Sequence, residues 1–572
     1  ITCTQEQQQT NQEEIPIKDF RAETLQMMDS IKAIYARTDF RNHLYESGEK
    51  LKLVEQEVLA ADAKKDLTPR LYIEYGKTLL DAGKSKEAAE VFERVLRQLP
   101  GNRQITQTSK SLHEALAISY MRLGEQINCQ QNHSAESCIM PIKGEGIHQW
   151  QDGSQKAIEI YLQILTAFPD DLRSRWLLNI AYMTLGQYPD KVPAKYLIPP
   201  IAFRSEYELP YFENIATHTG LDINDLAGSV IADDFNNDGW LDLMLSSWSM
   251  QGRLYYYVSD GNGGYADQTE AAGLQGVTGG LNLIQADYNN DGFLDFYIMR
   301  GAWRGSKSMG ILPNSLIKNN GDGTFTDVTI SSGIYAAFPT QSAVWLDINT
   351  DGWLDLFVGN ETHNRQDIHP CQLWLNQKDG SFTDVAPKLG LNFQIYVKGV
   401  AAGDINNDGL PDLYISSING PNILLANRGG TSPENWVFED ITEKAGVAEP
   451  LESFPAWFFD YNNDGWDDLF VSSFDKFSLN QQSREVAADY LGITSNSDWP
   501  RLYRNEGGEQ FSDQTQSTSL RRILPTMGCN FGDLDNDGFL DFYLGTGAPD
   551  YRAIVPNRMF RNNAGQSFQD VT

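Results

Sequence analysis

A nine-residue pattern, Asp-x-Asn/Asp-x-Asp-Gly-x-x-Asp, occurs six times after residue 229, and each copy lies between two apolar segments. Oxygen-bearing side chains at positions 1, 3, 5 and 9 of such a tight loop converge, with one backbone carbonyl, on a hard cation that takes about six to eight oxygen ligands. Glycine at position 6 permits the sharp turn, which residues with a Cβ resist. The predicted metal ligands are Asp234, Asn236, Asp238, Asp242, Asp287, Asn289, Asp291, Asp295, Asp347, Asn349, Asp351, Asp355, Asp404, Asn406, Asp408, Asp412, Asp460, Asn462, Asp464, Asp468, Asp533, Asp535, Asp537 and Asp541.

Calcium fits these loops better than magnesium does. Mg²⁺ tends to keep several waters in an octahedral shell, whereas a cage made only of protein oxygens suits Ca²⁺. An EF-hand is excluded because the loops lack Glu at position 12 and are flanked by β-type residues instead of helices. We therefore expect about six Ca²⁺ ions, which would offset part of the formal net charge of -32.

A second motif, Phe-x-Asp followed by Val-Thr or Val-Ala, alternates with the acidic loops and follows a Gly-rich hairpin. It occurs in LIKNNGDGTFTDVT (316–329), LWLNQKDGSFTDVA (373–386) and MFRNNAGQSFQDVT (559–572). Strands joined by Asn-Gly and Asp-Gly turns predict four-stranded antiparallel blades. The predicted fold class is therefore multidomain, α then all-β, with a calcium-binding β-propeller at residues 208–572.

On these two motifs, residues 208–572 resemble the FG-GAP or VCBS repeat family, whose best-known members are the integrin α-subunit propellers. Together with the helical repeats described below, the chain is similar to bacterial members of the cartilage acidic protein (ASPIC/UnbV-associated) family. The resemblance implies that the calcium loops lie on one rim of the ring and that ligands bind at the opposite face or the central channel. Because each loop ties two strands of its own blade, we expect the calcium to be structural.

The number of blades follows from the order of the motifs. Residues 211–221 (YFENIATHTGL) resemble an outer Phe-x-Asp strand but precede the first acidic loop, and six complete blades follow. We predict a seven-bladed design with six complete blades visible, in which the polypeptide continues past Thr572. The alternative is a closed six-bladed ring that leaves residues 211–216 as a surplus strand.

The N-terminal third has the periodicity of tetratricopeptide repeats (TPR). Residues 67–100 match one repeat, with small residues where two helices approach and Pro100 ending the second helix. A second copy is split between 112–124 and 155–169, and a further first helix spans 174–186. The predicted organisation is a disordered tether at 1–17, a TPR-like α-solenoid at 18–186 with an insertion at 126–153 and a capping helical stretch at about 18–63, and a linker at 187–207.

Charge and the N-terminus constrain partners and location. The chain has 45 Lys and Arg against 77 Asp and Glu, so it repels phosphate backbones and nucleic acid is excluded as a partner. Residues 5–14 have the composition of a tether that follows a removed leader, which predicts export to the cell envelope, the cell surface or the extracellular space. Cys3 is either a lipidated bacterial-lipoprotein cysteine or a stray terminal thiol.

The insertion contains four side chains with their own chemistry, Cys129, His133, Cys138 and His148. In an oxidising compartment the two cysteines, nine positions apart, predict a local disulfide. The other reading is a transition-metal site, although the spacing differs from the usual zinc-finger spacings.

Three further side chains, His363, His369 and Cys371, lie in one irregular stretch of the third blade. They either line a pocket or a soft-metal site, or form a satisfied pair of loop histidines. An oversized connection at 476–500 predicts an interaction loop. Charged and aromatic residues near the acidic loops predict a further contact surface on the ring. These residues are Arg300, Trp303, Lys398 and Trp457.

No nucleophile elbow, phosphate-binding loop or zincin signature occurs in the sequence. We predict an exported calcium-binding scaffold whose TPR-like part docks a partner protein and whose propeller presents a rigid face to a protein or glycan. The alternatives are an enzyme, either a propeller hydrolase or lyase or a metal-dependent oxidoreductase using the segment from Cys129 to His148, and a structural subunit of an outer-membrane complex.

Overall fold

The computed structural model describes residues 20–99, 105–132, 134–210, 212–304, 307–432, 435–474 and 480–572. The predicted tether at 1–17, the candidate lipid anchor Cys3 and the candidate ligand His133 lie outside the described residues. None of the helices in the described segments is long and apolar enough to cross a membrane.

The described part of the N-terminal region contains seven α-helices, and each helix from the second onward packs on the next. Gly76 on the third helix lies beneath Phe92 on the fourth, where a Cβ would come within 2.8 Å of the Phe92 ring. Close approach of this helix pair therefore depends on glycine at position 76. The helices are α1 (Phe20–Ala36), α2 (Ser47–Ala63), α3 (Pro69–Asp81), α4 (Ser85–Gln98), α5 (Lys110–Gln131), α6 (Asp152–Ala167) and α7 (Leu172–Thr184).

The helical region differs from the sequence prediction in three places. Helix α5 continues to Gln131, so the insertion between α5 and α6 is shorter than the predicted 126–153, and its described residues contain only short 3₁₀ turns. Helix α1 packs on the propeller, where the backbone N–H of Asp327 donates to Thr24 Oγ1 at 3.0 Å. The predicted linker at 187–207 packs against the helices, because Tyr196 and Ile198 are buried in the helical core.

The second domain consists of six four-stranded antiparallel sheets in sequence order, which confirms the predicted blades. In each blade the ninth residue of the acidic loop begins the second strand and pairs with the last residue of the first, as Asp242 does with Asp233. Blade 1 contains β1 (Ala227–Asp233), β2 (Asp242–Ser247), β3 (Leu254–Ser259) and β4 (Tyr265–Asp267), blade 2 contains β5 (Asn282–Ala286), β6 (Asp295–Met299), β7 (Ser315–Asn319) and β8 (Phe325–Asp327), and blade 3 contains β9 (Thr340–Leu346), β10 (Asp355–Asn360), β11 (Gln372–Asn376) and β12 (Phe382–Asp384). Blade 4 contains β13 (Val397–Gly403), β14 (Asp412–Ser417), β15 (Ile423–Asn427) and β16 (Phe438–Asp440), blade 5 contains β17 (Ser453–Phe459), β18 (Asp468–Ser473), β19 (Arg501–Asn505) and β20 (Phe511–Asp513), and blade 6 contains β21 (Thr526–Gly532), β22 (Asp541–Thr546), β23 (Arg558–Asn562) and β24 (Phe568–Asp570).

The antiparallel order of the blades sorts their connections onto two faces. The acidic loops, between first and second strands, lie on the same face as the hairpins between third and fourth strands. The connections between second and third strands, and between blades, lie on the opposite face. We call these the loop face and the helix face, because the helical region docks on the second.

Docking of the helical region uses two long connections of the helix face. The connection in blade 5 folds into helix α11 (Gln482–Tyr490), which packs on α7. The Trp176 indole N–H donates to the Ile554 carbonyl in blade 6 at 2.7 Å, and its ring contacts Tyr490 at a centroid distance of 5.1 Å. The segment that we predicted as an interaction loop at 476–500 therefore makes an intramolecular contact.

Apolar clusters fill each of the five interfaces from blade 1 to blade 6. The described residues contain no such cluster between blade 6 and blade 1. Side chains at this junction stay in solvent, with Val230 60% and Tyr543 38% exposed. The ring therefore has an open seam between its first and last blades.

The segment before blade 1 repeats a local structure found after outer strands elsewhere. Helix α8 (Ala216–Thr219) ends at Gly220 with φ 75°, just as α9 (Ala386–Leu389) and α10 (Thr442–Ala445) end at glycines with φ 72° and 74°. The helices α9 and α10 follow the outer strands of blades 3 and 4. Residues just before α8 thus hold the position that an outer strand holds in other blades.

Candidate functional site

The first residue of each acidic loop holds the turn. In the first loop, Asp234 Oδ1 accepts from the Asp238 N–H at 3.1 Å, and Oδ2 accepts from the Gly239 N–H at 2.7 Å. The corresponding glycine in the other five loops makes the same bond at 2.7–2.9 Å. The repeat therefore folds into one common loop geometry at all six positions.

The ninth residue supplies a buried carboxylate beneath the turn. Asp295 is fully buried, and its Oδ1 accepts from the Asn319 N–H at the end of the third strand at 2.7 Å. Its Oδ2 is buried and has no hydrogen-bond partner among the described residues. A buried carboxylate oxygen without a donor is costly unless a cation faces it.

The raised pKa values of the ninth-position carboxyl groups also indicate that a cation is needed to keep them charged. Burial, and then Asp291 and Asp287 of the same loop, together raise the pKa of Asp295 to about 8, against the Asn319 hydrogen bond and Lys318. Burial likewise raises the pKa of the ninth-position carboxyl to about 7 in the next three loops, at Asp355, Asp412 and Asp468. A cation among these carboxylates would favour the charged forms and remove the repulsion.

The donor set fits a hard cation. Asp533, Asp535 and Asp541 of the sixth loop can each place an oxygen within 4.8 Å of the others, and Asp535 Oδ1 is buried without a hydrogen-bond partner in the described part of the chain. Basic side chains of the third strands already pair with the fifth-position carboxylates, as Lys318 does with Asp291 at 3.3 Å and Arg561 with Asp537 at 2.5 Å. The side-chain oxygens of the acidic loops would hold Ca²⁺. The ion would tie the first and second strands of each blade together.

Sequence reasoning missed an asparagine that connects neighbouring blades. Asn319 Nδ2 donates to the Phe235 carbonyl in the preceding acidic loop at 2.8 Å and to the Leu294 carbonyl in its own loop at 3.2 Å. Its signal was present as an Asn that ends the third strand shortly before the hairpin glycine in five blades. The equivalents are Asn376, Asn427, Asn505 and Asn562.

The remaining candidates of the insertion line a separate cavity. Cys129, Cys138 and His148 border a cavity of about 190 Å³ between the insertion and residues 553–555 of blade 6. Both cysteines are free thiols, and burial, Glu125 and then Cys138 raise the pKa of Cys129 to about 11. Within the described segments, these side chains do not form a group of three with ligand atoms within 4.8 Å of one another.

The predicted histidine pair is split between two carboxylates. His363 Nε2 lies 3.2 Å from Glu361 Oε2, and its ring packs at a tilt against Tyr396 at a centroid distance of 4.1 Å. His369 is buried and lies 3.3 Å from Asp367 Oδ1. Cys371 is buried, which raises the pKa of its thiol to about 12. The geometry corresponds to two separately paired loop histidines.

The charged and aromatic candidates have separate roles. Lys398 is fully buried, pairs with Glu361, and lies 3.4 Å from the centroid of the Trp303 ring. Arg300 is buried and donates to backbone carbonyls, including Gly279 O at 2.9 Å, while Trp457 packs in the core between blades 5 and 6. Lys398 and Trp303 thus belong to the centre of the ring, whereas Arg300 and Trp457 are structural.

The connection between α1 and α2, residues 37–46, closes the centre of the helix face, and we call it the channel loop. Tyr45 packs on Trp248 and Trp303 at centroid distances of 5.1 and 6.3 Å. Glu46 forms a buried ion pair with Arg304 at 3.3 Å. The central channel is therefore occupied by the chain itself.

Acidification is expected to release the channel loop. His43 is buried, and its Nδ1 accepts from the N–H groups of Tyr45 and Glu46 at 3.1 and 3.0 Å. Burial, then Arg304 and Lys50, lower the pKa of His43 to about 4, against the Met309 carbonyl and Asp39. Since an undocked histidine takes its proton near pH 6.5, loop stability falls as pH falls from about 6.5 to 4.

The measurement is amide hydrogen exchange of residues 38–46, corrected for the intrinsic pH dependence. Protection is expected to fall on the order of 50-fold between pH 7 and pH 4.5. His43→Asn, which keeps an acceptor near the Nδ1 position and does not titrate, should remove most of that dependence. Equal protection at both pH values in the unmodified protein would contradict the expectation.

A large open cavity lies on the helix face between blades 3 and 4, beside the closed channel. Its volume is about 780 Å³, within the usual range for ligand sites. Glu443 and Asp440 contribute carboxylates, and His363 and Tyr396 form one wall. No lysine or arginine is among the described residues that line the cavity. The lining favours a cationic group over an anionic one.

A family model described as an FG-GAP-like repeat matches residues 234–298, 347–415, 404–471 and 487–544. Each matched segment contains at least one acidic loop and strands beside it. The second domain is therefore an FG-GAP-repeat β-propeller.

Similar proteins of known sequence identify the type of FG-GAP propeller more specifically. Cartilage acidic protein 1 of Xenopus tropicalis is 22% identical over 292 residues, covering 49% of this chain and 41% of that protein. The Mus musculus protein is 23% identical over 244 residues, covering 41% and 33%. The propeller is of the cartilage acidic protein type, and the chain spans less than half the length of these relatives. The solved V. cholerae biofilm matrix protein Bap1 aligns with 51% of this chain and 40% of its own at 12% identity, with a TM-score of 0.27 that is too low to support a shared arrangement.

Proposed function

We propose that this chain is an exported, calcium-binding scaffold whose propeller presents a rigid face to a partner protein. The observation that carries this proposal is the difference between the two faces. Six acidic loops occupy the loop face, while the chain's own helices and channel loop pack on the helix face and leave a cavity between blades 3 and 4.

The cavity lining indicates the kind of partner group. Glu443 and Asn419 are exposed at its rim, and a chain with net charge -32 attracts cations from solution. We infer that the cavity receives a lysine or arginine side chain from the partner, with Glu443 as its counter-ion and the Tyr396 wall behind it.

The test is site-specific photo-crosslinking in the native host. A photoreactive residue replacing Asn419 is expected to give a protein adduct, and one replacing Asn262, at a hairpin tip on the loop face, is not. Glu443→Lys should abolish the Asn419 adduct. Glu270→Lys is the matched control, because Glu270 holds the same position after the Asp-x-Thr motif of blade 1. Adducts from both positions, from neither, or unaffected by Glu443→Lys would overturn this assignment.

We also propose that a seventh blade fills the open seam, with the residues just before α8 as its outer strand and its inner strands from polypeptide outside the described residues. Exposure of Val230 and Tyr543 and the repeated turn at α8 support this. A cysteine placed at Val230 is expected to resist maleimide in the protein from its natural host and to react in a chain limited to residues 1–572. A cysteine at Asn262 should react in both, and equal reaction at Val230 would count against the seventh blade.

A disulfide between Cys129 and Cys138 is part of the proposal for an exported protein, since both thiols border one cavity. Thiol–disulfide exchange with an oxidised partner would form the bond and reduce that partner. Non-reducing peptide mapping of the exported protein should recover one cross-linked peptide, and two free thiols would contradict it.

A lipid anchor at Cys3 belongs to the same proposal and predicts that Cys3→Ser releases the protein from membranes.

A further inference from the structure

The fourth residue of each acidic loop is not among the predicted ligands, yet it has one backbone conformation in all six loops, with φ between 55° and 59°. In four loops it is an asparagine whose Nδ2 donates across to the next blade. The acceptor is always the carbonyl of the sixth-position glycine in the next acidic loop. The bonds are Asn237 to Gly292 at 2.9 Å, Asn290 to Gly352 at 3.0 Å, Asn407 to Gly465 at 3.2 Å and Asn463 to Gly538 at 2.9 Å.

The third loop interrupts this series. Its fourth residue is Thr350, whose hydroxyl donates to the Asn349 carbonyl of its own loop at 2.8 Å. Threonine cannot supply the amide donor, and in the described structure no such bond reaches Gly409 of the fourth loop. The fourth-position bonds therefore link the loops as two groups of three, loops 1–3 and loops 4–6. Loops 3 and 4 are still joined by Asn427, whose Nδ2 donates to the Ile348 and Pro411 carbonyls, as the equivalent asparagines join the other loops.

Each link ends on a residue that also positions a predicted ligand. Gly352, which accepts from Asn290, donates its own N–H to Asp347 Oδ2 at 2.7 Å. Asn290 itself lies between the predicted ligands Asn289 and Asp291. An ion that orders one loop therefore fixes the donor that holds the turn of the next.

We propose that the six loops bind Ca²⁺ as two coupled groups of three, in which occupancy of one loop raises the affinity of its linked neighbour, and that Thr350 separates the groups. This inference rests on the proposed calcium binding. The coupling operates through ordering of the neighbouring loop before its own ion arrives. One exposed hydrogen bond of this kind is expected to change the neighbour's affinity by about threefold to tenfold.

The seventh position of the loops provides local reporters. It is tryptophan in loops 1, 3 and 5, at Trp240, Trp353 and Trp466, and is not tryptophan in the other three. In the metal-free full chain labelled with 5-fluorotryptophan, ¹⁹F resonances assigned by Trp→Phe variants would follow loops 3 and 5 separately during a Ca²⁺ titration.

Asn290→Gly removes the amide without straining a backbone that already has positive φ. It is expected to raise the Ca²⁺ midpoint at Trp353 by threefold to tenfold and to leave the midpoint at Trp466 unchanged. Asn407→Gly should do the reverse. Thr350→Asn should lower the midpoint at Trp353 by adding a link to the fourth loop.

Two failures are distinguishable. If neither tryptophan responds to Ca²⁺ in the unmodified chain, the proposed calcium binding fails. If both respond but Asn290→Gly shifts both midpoints equally, or shifts neither, calcium binding stands and the division into two coupled groups is wrong.

Discussion

Removal of Ca²⁺ is expected to lower the Tm of the propeller by at least about 10 °C, since one site occupied at 100 times its Kd contributes about 2.7 kcal/mol and each kcal/mol shifts a large domain by about 2 °C. Six sites act on the same ring. Without the ion, the ring must bury carboxylates such as Asp295, whose pKa burial raises to about 8. Differential scanning calorimetry of metal-free protein, with and without added Ca²⁺, measures the effect.

The variant Asp295→Asn makes this prediction specific to one loop. With Ca²⁺ present it removes a ligand and should lower Tm. In metal-free protein at about pH 9, above the raised pKa of Asp295, it removes a buried charge and its repulsion from Asp287 and Asp291, so it should leave Tm unchanged or raise it. Asp222→Asn, an exposed acid outside the loops, is the control and should change neither. The metal assignment would be refuted if Tm did not change with Ca²⁺, or if Asp295→Asn shifted Tm in the same direction with Ca²⁺ and without it.

Loss of the carboxylate at Glu361 is expected to cost about 3–5 kcal/mol of unfolding free energy, because it removes the fully buried carboxylate that pairs with the buried Lys398 ammonium. Neither the Glu361 nor the Lys398 side chain is exposed. The backbone N–H of Trp303 also donates to Glu361 Oε2 at 2.7 Å. Burial alone would raise the pKa of Glu361, but Lys398 and His363 hold it below its usual value. Denaturant unfolding of Glu361→Gln, which preserves the shape and an acceptor oxygen, measures the cost.

A double-mutant cycle separates the charge from the packing. Lys398→Met combined with Glu361→Gln should recover most of the lost stability, since no unpaired charge then remains among the aromatic rings. The exposed pair of Lys52 and Glu49, 2.6 Å apart, is the control, and its loss should cost less than about 1 kcal/mol. A double variant as unstable as Glu361→Gln alone would show that the ion pair is not the cause.

Much of the candidate site could be predicted because it is local. The ligand positions, the turn glycine and the strands on either side of each loop lie within one short repeat, so six copies identify them. The asparagine links were missed because a side-chain amide that crosses to the next blade has no partner in its own repeat. Asn290 and Gly352 are 62 residues apart, and only the ring brings them together.

The sequence by itself determined the blades, their order and the composition of the acidic loops, because strand pairing and turn formation within a blade depend on neighbouring residues. Only the tertiary structure decided that α1 and the channel loop pack on the propeller, that the helices dock on the face opposite the acidic loops, and that a cavity between blades 3 and 4 is open. These contacts join residues more than 200 positions apart, as Glu46 and Arg304 do. Their stability comes from apolar surface and charge that are buried jointly by separate domains, and no periodicity within either domain encodes that burial.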